Sequence, residues 1–219
     1  MFKINYNLFY YFKKLILMDI NQGIKIILLG ESGVDKTNLI NAFFNYEFEK
    51  NPDSTIASFG LEREYKYKNS SYTYTIWDTA GQEKYRSINK MIIRGSKLIL
   101  IVYSIISRQS FNEINFWMNF IKENLGNDKY IIGLVENKSD LYEKQIVMDE
   151  EGKEAAKKYG IDFLTTSALT ERKKFQDFVN KLIAIYIEKY IRTANDTDTK
   201  GNKNIKIKGE KKEIKKKCC

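Results

Sequence analysis

A run of apolar residues, Ile26-Ile27-Leu28-Leu29, passes directly into Gly30-Glu31-Ser32-Gly33-Val34-Asp35-Lys36-Thr37 and then into Asn38-Leu39-Ile40-Asn41-Ala42-Phe43. The first stretch reads as a strand and the last as an opening helix, with a tight Gly-containing turn between them. The turn follows the phosphate-loop pattern G-x-x-x-x-G-K-[ST], except that Asp35 stands where the pattern has its second glycine. Such a loop aims backbone N–H groups inward at phosphate oxygens. A lysine charge reaches the terminal phosphates, and a hydroxyl is offered to Mg²⁺. The following helix turns its positive amino end toward the same anion. A chain that begins this way is constrained to a strand–turn–helix unit, and so to a sheet with helices packed on it.

The rest of the chain continues the alternation. Ile24–Leu29, Lys97–Tyr103 and Tyr130–Val135 are short, near-continuous apolar runs of the kind that lie in parallel sheets covered on both faces. Phe175, Phe178, Val179, Leu182, Ile185, Tyr186 and Lys189 recur at helical spacing. Ser58–Lys68 and Ser71–Trp77 alternate around Asn69-Ser70 and read as a hairpin. The expectation is an α/β fold with a mostly parallel six-stranded sheet, one antiparallel edge strand and helices on both faces.

Composition narrows the chemistry. The 219 residues include no histidine, which excludes Ser-His and Cys-His catalysis and histidine-ligated zinc. Cys218 and Cys219 are the only cysteines, so no disulfide framework is expected. No apolar run is long enough to span a membrane as a helix. The net charge of +9 is uneven. Nine lysines against four acidic residues give 193–219 a charge of +5, and three lysines against Asp19 give 1–22 a charge of +2. Residues 23–192 keep only +2, so the basic excess is not on the folded part and nucleic acid is not an expected partner.

Three domains of behaviour are expected. Residues 1–22 form an extension, either an amphipathic surface helix with Ile4, Leu8, Phe12 and Leu15 on one side or a stretch preceding translation from Met18. Residues 23–192 form the folded domain. Residues 193–219 hold few large apolar side chains and form a flexible, lysine-rich tail.

Three further segments carry chemistry. In Trp77-Asp78-Thr79-Ala80-Gly81-Gln82-Glu83, an aspartate at a strand end can serve Mg²⁺ through water. Gly81 lets a backbone N–H approach a terminal phosphate, and Gln82 can orient an attacking water. Asn137-Lys138-Ser139-Asp140 follows a strand ending at Glu136, and a carboxylate there can accept both N–H groups on one edge of guanine. Ser167-Ala168-Leu169 follows the strand Asp162–Thr166 and can supply a backbone N–H to the base. The guanine motif disfavours an ATP-using kinase of the same loop type.

In this order the motifs resemble those of the Ras superfamily of small GTPases, and of the Rab branch in particular, over about residues 23–192. WDTAGQE at 77–83, Lys84-Tyr85-Arg86-Ser87-Ile88, Arg94-Gly95 and the terminal Cys218-Cys219 carry the Rab likeness. The resemblance implies the G domain of the P-loop NTPases, with GTP or GDP and Mg²⁺ bound by Gly30, Ser32, Gly33, Val34, Asp35, Lys36 and Thr37. It implies that Thr55 joins Thr37 and Asp78 at the metal, that Phe48 stacks on guanine, and that Asn137, Lys138, Asp140, Ser167, Ala168 and Leu169 hold the base. Lys36, Gly81 and Gln82 become the catalytic set. Cys218 and Cys219 become prenylation sites, and two lipid chains, or one chain with the basic residues of the tail, anchor stably. The implied protein is a slow GTPase switch in vesicle trafficking, on the cytoplasmic face of an endomembrane and cycling with the cytosol. Its partners are an exchange factor, an activating protein, a prenyl-Rab chaperone and effectors.

Asp35 leaves two arrangements open. Its carboxylate lies beside the phosphates, at a Coulombic cost, or swings away and leaves the N–H cradle intact. The first arrangement underlies an alternative function, a membrane-tethered scaffold that holds nucleotide poorly or holds only GDP. Ser58-Phe59-Gly60 also departs from the Gly-Val-Asp-Phe usual in Rabs, and Leu169 stands where many relatives have lysine.

Overall fold

The computed structural model describes residues 23–46, 60–78, 90 and 92–193. The expected extension 1–22 and the tail from 194 onward lie outside them, as do Phe48, Thr55, Gly81, Gln82, Cys218 and Cys219.

The first strand, β1 (Ile24–Leu29), turns through the phosphate-loop segment into α1 (Lys36–Phe44). A hairpin follows, β2 (Gly60–Tyr67) and β3 (Ser70–Trp77). Then come β4 (Leu98–Ser104), α2 (Arg108–Asn112), α3 (Ile114–Leu125) and β5 (Ile131–Asn137). A 3₁₀ turn at Ser139–Lys144, α4 (Asp149–Tyr159), β6 (Asp162–Thr165) and α5 (Arg172–Tyr186) complete the domain, and Ile187–Arg192 continues α5 in wider turns. The six strands lie in the order β2-β3-β1-β4-β5-β6. Every pairing is parallel except that of β2 with β3, as the alternation of strands and helices predicts.

Successive side chains of a strand face opposite sides of the sheet, and the strand sequences are apolar on both. Ile26, Leu28, Leu100 and Val102 pack with Leu39 and Phe43 of α1 and with Phe175, Val179 and Leu182 of α5. Their neighbours Ile27, Leu29, Ile99 and Ile101 pack with Trp117 and Ile121 of α3 and with Ala156 of α4. All seven residues of β4 are buried, which explains why its sequence shows no polar alternation. The carboxamide of Gln176 on α5 donates to the carbonyls of Ala42 and Phe43, satisfying the last turn of α1 and fixing that helix against the sheet.

Two boundaries differ from expectation. The hairpin turns at Lys68-Asn69, because Tyr67 pairs with Ser70, one residue earlier than the Asn69-Ser70 turn predicted. Lys68 takes the positive φ of 53° that a two-residue hairpin loop requires, a conformation its side chain gave no reason to expect. Strand β5 extends through Asn137 instead of ending at Glu136, since Asn137 still pairs with Ser104.

Candidate functional site

Four of the predicted segments meet at the carboxyl ends of β1, β3, β5 and β6, where sheets of this type bind ligands. Gly30, at φ 153°, leads the loop out of β1. A Cβ there would lie 2.2 Å from the Val102 carbonyl oxygen, so only glycine lets the loop hug β4 this closely. The loop then tucks in Lys36, which is 3% exposed and donates from Nζ to the carbonyls of Gly30 (2.9 Å) and Glu31 (2.8 Å). The lysine charge is thereby held inside the ring of backbone that forms the loop.

Asp35 caps α1 in the left-handed conformation, φ 65° and ψ 41°, and its carbonyl accepts the first helical bond, from Leu39 N, at 3.0 Å. Aspartate is among the side chains that tolerate this region, so the backbone path of a glycine is kept. Its carboxylate reaches the loop after β5, with Oδ2 3.3 Å from Lys138 Nζ and both side chains about one-fifth exposed. The carboxylate thus meets a cation, Lys138, which neither of the two arrangements left open by the sequence included.

Thr37, the first turn of α1, donates from Oγ1 to Asp78 Oδ2 at 2.7 Å. Asp78 lies just beyond β3 and is 7% exposed. A hydroxyl and a carboxylate in contact are hard oxygen donors, the chemistry suited to Mg²⁺, which needs few protein ligands because it keeps water and phosphate oxygens around it.

The second half of the site is braced by side chains. Asn137 is fully buried. Its Nδ2 donates to the Val34 carbonyl at 2.8 Å and its Oδ1 accepts from Ala168 N at 3.1 Å. Only one orientation of the amide satisfies both, and it ties the phosphate loop to the segment after β6. The geometry thus gives Asn137 a structural link that its place in the motif did not reveal. Ser167 donates from Oγ to Asp140 Oδ1 at 2.6 Å while accepting from the N–H groups of Leu169 and Thr170, both at 3.1 Å. The carboxylate is therefore aimed by a hydroxyl whose own orientation is fixed. Glu171, which the sequence did not single out, accepts from Ser139 Oγ at 3.0 Å and anchors the same loop. Lys138 turns the chain there at φ 68°. Ser32 and Gly33 form the exposed tip of the phosphate loop, Val34 is buried beneath it, and Leu169 is 47% exposed.

One buried acid adjoins this site. Glu136, next to Asn137, is fully buried; Tyr103 donates to its Oε2 at 2.5 Å, and Oε1 has no hydrogen-bond partner among the described residues. Burial pushes its pKa up to about 7, with Asp149 adding to the rise, while the Tyr103 hydrogen bond and Lys153 act against it. A carboxyl whose pKa rises on folding favours the folded state at low pH and loses that contribution as pH climbs from the unfolded value of 4.5 through about 7. Glu136→Gln keeps an acceptor for Tyr103 without the charge. Urea unfolding should find it more stable than the parent at pH 8, by up to roughly 3 kcal/mol, with the gain gone at pH 4. An equal gain at both pH values would show that the buried charge is not the cause.

A phosphate loop, a hydroxyl–carboxylate pair and a braced carboxylate at the ends of a six-stranded sheet define the class of a small GTPase domain. The comparisons agree. Residues 25–188 match the Ras family. The chain is 38% identical to Ras-related protein Rab-11B of Dictyostelium discoideum over 84% of each chain. It is 36% identical to Ras-related protein RABA2b of Arabidopsis thaliana over 75% of this chain and 78% of that one. It is 30% identical to human Ras-related protein Rab-22A over 90% and 97% respectively. The chain belongs to the Ras family of small GTPases, in its Rab branch, whose members are GTP hydrolases. The scaffold alternative finds no support among these relatives.

Proposed function

We propose that this chain binds GTP and GDP with Mg²⁺, hydrolyses GTP slowly, and works as a membrane-anchored switch in vesicle trafficking. The observation that carries the reading is the convergence of Lys36, the Thr37–Asp78 pair and the Ser167-held Asp140 at one end of the sheet. The loop's N–H groups and the amino end of α1 receive the phosphates, with Lys36 turning from its carbonyl partners to the terminal oxygens. Asp140 accepts from guanine, and Lys138, Ala168 and Leu169 frame the base. Thr37 and Asp78, with Thr55, would hold Mg²⁺, which would supply positive charge to offset that of the phosphates.

In hydrolysis Gln82 orients a water toward the γ-phosphorus, aided by the Gly81 N–H. A new P–O bond forms as the bond to the β–γ bridging oxygen breaks, giving GDP and inorganic phosphate, and the water's proton passes to phosphate or solvent. Loss of the γ-phosphate releases the segments around Thr55 and Gly81, which changes the surface offered to effectors. An activating protein speeds the step, an exchange factor resets it, and prenyl groups on Cys218 and Cys219, served by a chaperone, tether the protein to the cytoplasmic face of an endomembrane between cytosolic phases.

Gln82→Leu separates hydrolysis from binding. In single-turnover assays the variant should hydrolyse bound GTP about tenfold or more slowly while retaining nucleotide as the parent does. Unchanged turnover would remove Gln82 from the mechanism.

A further inference from the structure

The end of the sheet opposite the nucleotide loops carries a cleft. Lys97 N donates to the Lys25 carbonyl and Ile131 N to the Lys97 carbonyl, placing this region at the amino ends of β1, β4 and β5. There an open cleft of about 540 Å³ lies between Arg94–Lys97, the loop Asn127–Lys129 and Tyr186 of α5. Arg94, Lys97 and Lys129 line it against a single carboxylate, Asp128. None of the three cations has an ion pair among the described residues, whereas Lys68 and Arg192, on the neighbouring hairpin tip and helix end, both pair with Glu188. The nearly neutral charge of residues 23–192 thus conceals a local excess at this end.

We infer that this cleft binds the headgroup of a polyphosphorylated membrane lipid. Three cations around a cavity, as opposed to a flat strip, suit a compact group bearing several phosphates. The volume is in the range of small-ligand sites. The wall formed by Tyr186 runs on through Ile187–Arg192 directly into the segment 193–219, with its nine lysines and terminal Cys-Cys. A tail drawn to a membrane therefore brings this end of the domain toward the lipid surface. The inference rests on the membrane-anchoring part of the proposed function and adds a lipid preference that a basic tail alone does not confer.

The test uses the full chain without lipidation, its nucleotide uptake measured in parallel. Phosphatidylcholine vesicles containing phosphatidylinositol bisphosphate are compared with vesicles matched in charge by phosphatidylserine. The parent should bind the first set more tightly. Lys97→Ala/Lys129→Ala should lose about tenfold on bisphosphate vesicles and bind the two sets alike, with thermal unfolding and nucleotide uptake unchanged. Lys211→Ala/Lys212→Ala should weaken both sets equally. Parent-like preference in the cleft variant, or no preference in the parent, overturns the site. Saturable binding of soluble inositol bisphosphate without any preference on vesicles overturns the lipid assignment in favour of a soluble phosphorylated ligand. Failure of nucleotide uptake alone would count against the switch and leave the vesicle comparison intact.

Discussion

Asp140→Ala is expected to lower affinity for guanine nucleotides by roughly a thousandfold and to erase most of the preference for GDP over ADP. In the proposed site the carboxylate would accept two N–H groups of guanine, and hydrogen bonds to a charged group contribute about 1.5–3 kcal/mol each. Adenine offers no such pair, so a site built around that acceptor rejects it, and one without it has little basis to choose. The alanine also leaves Ser167 Oγ without its acceptor, while Leu169 N and Thr170 N keep theirs, so the loop after β6 should hold its course. Competition of GDP and ADP against a fluorescent nucleotide reads both effects. A variant with parental affinity and selectivity would place the base elsewhere.

Asp35→Gly is expected to act in the opposite direction, tightening GDP binding by about thirty-fold. Two like charges 4 Å apart interact by about 4 kcal/mol at an effective dielectric of 20, and half of that corresponds to a factor of about thirty. The carboxylate is paired with Lys138 at 3.3 Å, so the substitution also frees that lysine for the nucleotide. Glycine adopts the left-handed φ of 65° without strain, so the loop should keep its path. Equilibrium titration and release rates measure the change. Equal affinity in the two proteins would mean that the pairing with Lys138 already removes the carboxylate from the phosphates.

Much of this was legible in the chain. Runs such as Leu98–Ser104 announce a strand buried on both faces because their apolar residues leave no polar side to misread. The loop motifs announce their positions because sheet order places strand ends together. What the sequence withheld were contacts between distant residues. Asn137 reaches Val34 across 103 positions, and nothing in N-K-x-D states that its amide faces the phosphate loop. The Asp35–Lys138 pair is hidden for the same reason. Tyr103 and Glu136 are brought side by side only by the register of β4 with β5, so each alone reads as part of a strand. The hairpin turn was misplaced by one residue because Lys68 adopts a backbone conformation that composition assigns to glycine or asparagine.

The most direct measurement is a titration of the purified full chain with a fluorescent guanosine diphosphate in the presence of Mg²⁺, with the adenosine analogue alongside. Saturable one-to-one uptake of the guanosine compound, displaced by GTP and not by ATP, is the expected result. No saturable uptake, or equal uptake of both compounds, would contradict a switch built on Lys36, Thr37 and Asp140.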